Sequence, residues 1–154
     1  MKEIYETTAP QQTFALARQL AEQAVPGSVF CLDGDLGTGK TVFTQGFAAG
    51  LGIEGPVNSP TFTIICEYEE GRLPLYHFDV YRISDPEEMD EIGYEDYFFG
   101  RGVTMVEWAS LIWELIPREA IRITIEKEPE RGFDYRRITI DDRADCLGGR
   151  IAGF

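Results

Sequence analysis

An α/β fold, a mixed sheet containing antiparallel hairpins and flanked by helices, is what this sequence predicts, and three observations carry the prediction. An apolar run at residues 28–32 leads through a glycine-rich turn into an amphipathic stretch, the order strand, loop, helix. Residues 61–68 and 73–81 are rich in β-branched and aromatic types and are separated by a short polar stretch with Gly71, which reads as an antiparallel hairpin. Ile121, Ile123 and Ile125 alternate with Arg122, Thr124 and Glu126, and residues 135–140 supply a partner strand across a turn at Arg131-Gly132. Parallel strands joined by helices do not account for two hairpins, so the sheet is expected to be mixed.

From the N-terminus, Thr8-Ala9-Pro10-Gln11 has the form of a capping box with proline in the first turn, and Leu16, Ala17, Leu20 and Ala24 follow at helical spacing until Pro26-Gly27. The strand at 28–32 ends at Asp33-Gly34, and Val42, Phe43, Phe47 and Leu51 mark a second helix that stops at Gly50 and Gly52. After the first hairpin, Asp85-Pro86-Glu87-Glu88 starts a short acidic helix to about Ile92. Residues 103–106 form a buried strand that ends on Glu107-Trp108. No repeat or linker interrupts the chain, so residues 1–154 are read as one domain; the tail after Asp141, with Gly148, Gly149 and Gly153, carries no clear pattern.

Composition narrows the function. No apolar run approaches the eighteen or so residues of a membrane span, and the opening Met-Lys-Glu-Ile-Tyr-Glu is not a secretion signal, so a soluble, unexported protein is expected. Cys31, Cys66 and Cys146 are odd in number and lack metal-ligand spacing, which fits the reducing cytoplasm. A net charge of −13 with only three lysines, Lys2, Lys40 and Lys127, lacks the footprint of a direct nucleic-acid binder. Protein or small-molecule partners are expected instead, with no stable direct binding of nucleic acid.

The glycine-rich turn is Gly34-Asp35-Leu36-Gly37-Thr38-Gly39-Lys40-Thr41, which satisfies the phosphate-binding pattern G-x-x-x-x-G-K-[ST] in its strand-to-helix context. A polyphosphate needs several backbone N–H groups turned onto one anion, and glycines let the chain wrap that tightly. The helix start adds its positive dipole end, Lys40 a mobile cation for the β- and γ-phosphates, and the Thr41 hydroxyl a ligand for Mg²⁺. Asp35 is unusual in such a cradle and is expected to point outward.

The site also needs a carboxylate at a neighbouring strand end, and two stand in that position. Glu107 follows the strand at 103–106, and Asp79 follows Leu75-Tyr76-His77-Phe78. Period two places Tyr76, Phe78 and Val80 on a core face and His77, Asp79 and Tyr81 on a face left for chemistry. His77, the only histidine, suits a structural hydrogen bond as well as a catalytic role. Asn58-Ser59-Pro60-Thr61-Phe62 is placed to sense the γ-phosphate, and Trp108 either packs on the nucleotide or fills the core. With Asn58 the only asparagine, a guanine-reading Asn-Lys-x-Asp motif is excluded, which favours ATP.

These motifs, the loop at 34–41, Ser59-Pro60-Thr61-Phe62, His77-Phe78-Asp79-Val80-Tyr81-Arg82 and Val106-Glu107-Trp108, resemble in order and separation the TsaE proteins (also called YjeE), small ATPases of bacterial threonylcarbamoyladenosine tRNA modification. The resemblance spans roughly residues 5 to 140. It implies a P-loop fold that binds ATP and Mg²⁺, hydrolyses ATP slowly, and works with TsaB and TsaD, the latter carrying out transfer to the adenosine next to the anticodon. It implies Thr41 and Glu107 as metal ligands, directly or through water, and Asp79 close to the γ-phosphate. The expected catalytic set is then Asp79, Glu107 and Lys40. Expected nucleotide contacts are Asp35, Leu36, Gly37, Thr38, Gly39, Lys40, Thr41, Val42, Asp79 and Trp108, with Thr8 and Arg131 as outlying candidates. A small P-loop kinase acting on a metabolite, and a nucleotide-dependent binding module with negligible turnover, are the competing readings.

Overall fold

The computed structural model of the chain describes residues 1–35, 37–57, 60 and 64–154. Seven strands form one sheet in the order β1-β7-β6-β2-β5-β4-β3. The strands are β1 (Lys2–Thr7), β2 (Val29–Gly34), β3 (Ile65–Tyr68), β4 (Leu75–Asp79), β5 (Val103–Glu107), β6 (Ile121–Lys127) and β7 (Arg136–Asp141). β6, β2, β5 and β4 run parallel at the centre, while β3 on one edge and β7 and β1 on the other run antiparallel to their neighbours. The sheet is therefore mixed, with both expected hairpins in place.

Period two splits the residues of β2 between two cores. Phe30 and Leu32 join a cluster with α1 (Pro10–Glu22) and α2 (Lys40–Gly50), whereas Val29 and Cys31 face α3 (Glu88–Ile92), α4 (Tyr94–Phe98) and the 3₁₀ segment Ala109–Leu115. Burial pushes the Cys31 thiol up to about 12, so it behaves as a small apolar side chain. Both faces of the central strands are covered. The face of β4 expected to carry chemistry, that of His77 and Asp79, is therefore also a packed one. Leu75 and His77 on it are fully packed, and polar groups gather only at the strand's C-terminal end.

Several elements lie where local pattern did not put them. β1 is an edge strand with alternating charged residues, buried only at Tyr5 and Thr7. The α1 start departs from the expected box: Ala9 is the cap residue, and Thr8 donates through both its amide (2.7 Å) and hydroxyl (3.2 Å) to Gln12 rather than engaging Gln11. α4 and the 3₁₀ segment were not anticipated. The tail folds onto β1: the Asp142 carboxylate accepts the amides of Cys146 (2.9 Å) and Leu147 (2.7 Å), and the Ile151 amide donates to the Tyr5 hydroxyl (2.9 Å).

α1 and α2 approach closely because two glycines one turn apart face α1. A Cβ on Gly46 would stand 2.3 Å from the Phe14 carbonyl oxygen, and one on Gly50 2.3 Å from that of Arg18. Gly46→Ala gains about 1 kcal/mol of helix propensity but forces two backbones apart, an overpacking cost of roughly 1–3 kcal/mol or more. The expected outcome is net destabilisation by about 1–2 kcal/mol, read as a lower urea midpoint, whereas Gln45→Ala on the exposed side should leave the midpoint unchanged.

Candidate functional site

The phosphate loop leaves the C-terminal end of β2, the central strand, flanked by the ends of β5 and β6. Gly37 and Gly39 hold positive φ (78° and 99°), the left-handed backbone that successive inward N–H groups require. Gly34 is sterically fixed, since a Cβ there would lie 2.9 Å from the Ile125 carbonyl oxygen. Thr38 closes the turn by donating its amide (3.2 Å) and hydroxyl (2.8 Å) to the Asp35 carbonyl, and the Asp35 side chain is exposed. Leu36 lies outside the described residues, as do Asn58, Ser59, Thr61 and Phe62 of the proposed sensing loop; Pro60 is buried.

The parallel register of β4 and β5 sets Asp79 directly beside Glu107. Glu107 is 5% exposed, and its Oε2 lies 2.7 Å from Nε2 of His77, itself 1% exposed. A buried carboxylate is tolerable only when paired and hydrogen-bonded, and His77 meets that need at one oxygen. Nδ1 of His77 has no hydrogen-bond partner among the described residues, which leaves the ring committed to Glu107 alone. Half-buried Asp79 accepts the Tyr81 amide at Oδ1 (3.0 Å). Burial pushes its carboxyl above the ordinary aspartate range, the Tyr81 amide opposes that shift, and the neighbouring Glu107 charge adds to it.

Lys40, first residue of α2, reaches Trp108, with its Nζ 4.1 Å from the indole centroid. Trp108 holds positive φ (62°), a conformation uncommon for a bulky residue, and the ring of Tyr81, 61% exposed, packs against it at a tilt of 52° with 4.9 Å between centroids. Thr41 is exposed in the first helical turn. Among the described residues no group of three or more His, Cys, Asp or Glu side chains is placed to hold a metal by itself. The donor types fit magnesium in another way: the Thr41 hydroxyl and the Glu107 oxygen not bonded to His77 are hard oxygen donors that would hold it, with water and phosphate oxygens supplying the rest.

Beside the loop lies a cavity of about 110 Å³ lined by Gly37, Thr38, Gly39 and Val42 together with Pro10, Thr13, Asp134 and Arg136. Arg136 is the residue that sequence reasoning missed. Its Nε donates to the Thr38 carbonyl (2.7 Å) and its Nη1 to the carbonyls of Phe133 and Tyr135. Arg131, the arginine expected at the nucleotide, instead pairs with Glu6 (3.0 Å) and lies over the Tyr135 ring (4.6 Å). Thr8 does not line this cavity. The only sequence signal for Arg136 is the β6–β7 register, which brings it level with the loop.

The family model described as "Threonylcarbamoyl adenosine biosynthesis protein TsaE" matches residues 7–138. The chain belongs to the TsaE family. It is 53% identical over 90% of its length to the tRNA threonylcarbamoyladenosine biosynthesis protein TsaE of Bacillus subtilis (strain 168), of which it covers 85%. It is 41% identical to the protein of the same description from Haemophilus influenzae, across 62% of this chain and 60% of that one. Among solved structures it is similar to the crystal structure of Bacillus subtilis YdiB, with a TM-score of 0.78 and 47% identity over 91% of this chain and 84% of that one. In both sequence and architecture the chain is thus a TsaE protein, and none of its described helices is long and apolar enough to cross a membrane.

The Asp79 carboxyl gives this geometry a pH signature. A carboxyl whose pKa rises on folding costs native stability once the pH exceeds its folded value, and that cost fades as pH falls toward its ordinary value. Asp79→Asn keeps an acceptor for the Tyr81 amide without the charge. The variant is expected to melt at a higher temperature than the native chain at pH 7, with the gap narrowing as pH is lowered. Melting curves taken between pH 5 and 8 check this; a gap that widens toward acid would contradict it.

Proposed function

We propose that this TsaE-family chain binds ATP with Mg²⁺ in the loop at 34–41 and hydrolyses it slowly in the cytoplasm. We place that turnover in threonylcarbamoyladenosine modification of tRNA, with TsaB and TsaD as partners. One observation carries the reading: the phosphate loop, the Lys40 ammonium and two neighbouring strand-end carboxylates, Asp79 and Glu107, converge at the C-terminal ends of the central parallel strands.

Lys40 is mobile at its tip and exchanges the indole of Trp108 for the β- and γ-phosphates. Mg²⁺, when bound, neutralises charge on those same phosphates. Thr41 and the Glu107 oxygen not turned to His77 would hold it, directly or through water, while His77 keeps the carboxylate from rotating. Asp79, beside Glu107 but less buried, is free to orient the attacking water. The exposed Tyr81 ring, stacked on Trp108, offers a partner protein a mechanical path to Lys40, which supports partner-dependent turnover. The net charge of −13 supports leaving the tRNA to the partners.

Calorimetric titration with Mg²⁺ and a non-hydrolysable ATP analogue, paired with single-turnover hydrolysis in the presence of TsaB and TsaD, tests the assignment. Lys40→Ala should lose roughly 10–100-fold in affinity, the worth of a charge-assisted bond. Glu107→Ala should weaken Mg·ATP binding and abolish turnover together. Asp79→Ala should spare or tighten binding, since it removes a negative charge, and slow turnover by about two to four orders of magnitude. Normal binding by Glu107→Ala beside lost binding by Asp79→Ala would reverse the two carboxylates.

A further inference from the structure

Lys127 is the last residue of β6, and the hairpin register sets Arg136 of β7 directly opposite it. Like charges facing each other across two strands are destabilising unless something offsets them. The nearby carboxylates do not: Glu128 is taken by Arg137 and Arg131, and Glu6 by Arg131 and the Tyr135 hydroxyl. Both cations run to the phosphate loop instead. Arg136 is spent on three backbone carbonyls, that of Thr38 in the loop and those of Phe133 and Tyr135 just before β7. The Lys127 ammonium lies 3.3 Å from where a Cβ on Gly37 would stand, and no hydrogen bond or ion pair holds it among the described residues.

This placement is not what composition favours. With 27 acidic residues in the chain, an exposed lysine has carboxylates available on most sides, and Lys127 has glutamates at both flanking positions. Its ammonium nonetheless stands beside another cation over a glycine loop. Of the three lysines in the chain, two, Lys40 and Lys127, thereby reach the same loop from opposite elements. Gly37 gains a second reason to lack a side chain, because any Cβ there would push Lys127 away.

We propose that Lys127 is a second nucleotide-binding cation, closing from the β6 side the anion cradle that Lys40 enters from α2. The proposal rests on the phosphate-loop reading given above. Gly37 borders the cavity of Pro10, Thr13, Asp134 and Arg136, which Thr41 and Glu107 do not line. Lys127 therefore acts on the nucleotide independently of the metal, and its contribution is the same for ADP without Mg²⁺ as for the Mg²⁺ complex of an ATP analogue.

Lys127→Met keeps the aliphatic stem and removes the charge, while Lys127→Arg keeps the charge. The full chain is titrated with ADP in chelator and with a non-hydrolysable ATP analogue plus Mg²⁺, at low and high salt. Lys127→Met is expected to weaken both ligands by about tenfold, with the loss shrinking at high salt, and Lys127→Arg to restore affinity to within about threefold. Ligand-free Lys127→Met should melt no lower than the native chain, since it relieves the like-charge pair, and Lys127→Arg should match it. Native affinity in Lys127→Met beside lost affinity in Lys40→Ala would overturn this role and leave the phosphate-loop reading standing. A native chain that bound neither ligand would overturn both. A ligand-free Lys127→Met with a lowered melting temperature, not rescued by arginine, would make Lys127 a fold residue and overturn the proposal.

Discussion

Burying Glu107 is the constraint around which the site is organised. A carboxylate that is 5% exposed gives up most of its hydration, and a single bond from His77 does not restore it. The register places Asp79 alongside, and its carboxyl is pushed above the ordinary aspartate range by burial and, in smaller part, by the Glu107 charge. Nothing in the packing requires acids at these two positions: Leu75 and Met105, further down the same strands and on the same face, are apolar. The arrangement is intelligible if positive charge arrives from outside the fold. Within the fold the nearest such charge is Lys40, whose ammonium also opposes the upward shift of the Asp79 carboxyl, and on the proposed reading a bound cation at the other Glu107 oxygen supplies the rest.

The phosphate loop is held from two sides, and each side uses a different kind of force. On the helical side, glycines let α1 and α2 pack backbone to backbone, so the first turn of α2 cannot shift without disturbing Phe14 and Arg18. On the hairpin side the contact is polar and directional: Gly34 abuts the Ile125 carbonyl, and Arg136 ties the Thr38 carbonyl to β7. β6 joins that hairpin to β2, and β1, pairing with β7 along its whole length, covers what would otherwise be an open edge. The tail, which seats Ile151 and Phe154 against Tyr5, extends the support outward. A stretch of sequence with no readable pattern thus braces the strand that braces the loop.

What the sequence could disclose follows from how local each signal is. The loop, both hairpins and the acid at the end of β5 were readable because their chemistry lies within a few consecutive residues. β1 was not, since Lys2-Glu3-Ile4-Tyr5-Glu6-Thr7 buries Tyr5 and Thr7 while its one aliphatic residue, Ile4, is half exposed. The polar alternation of His77 and Asp79 was read as a face left for chemistry because the residues that cover it, Leu32, Phe43 and Met105, come from elsewhere in the chain. Arg131 was singled out and Arg136 passed over on the same local view. A turn position looks exposed and available, and only the pairing of Lys127 with Arg136 across the hairpin shows which arginine stands level with the loop.

The charge of the whole molecule bears on how such a site is filled. A surface at −13 creates a field that repels a free polyphosphate, so the few cations present matter more by position than by number. Here Lys40, Lys127 and Arg136 converge on eight residues of loop, and the cation–π contact with Trp108 keeps the Lys40 ammonium from collapsing onto Asp79 or Asp33, whose carboxylates feel its charge. An indole holds a cation more loosely than a carboxylate would, and releases it at less cost. The positive φ of Trp108, an uncommon backbone state for so large a residue, is what turns the ring toward Lys40. On the proposed reading, strain at one residue keeps the essential lysine available in a protein whose composition would otherwise neutralise it.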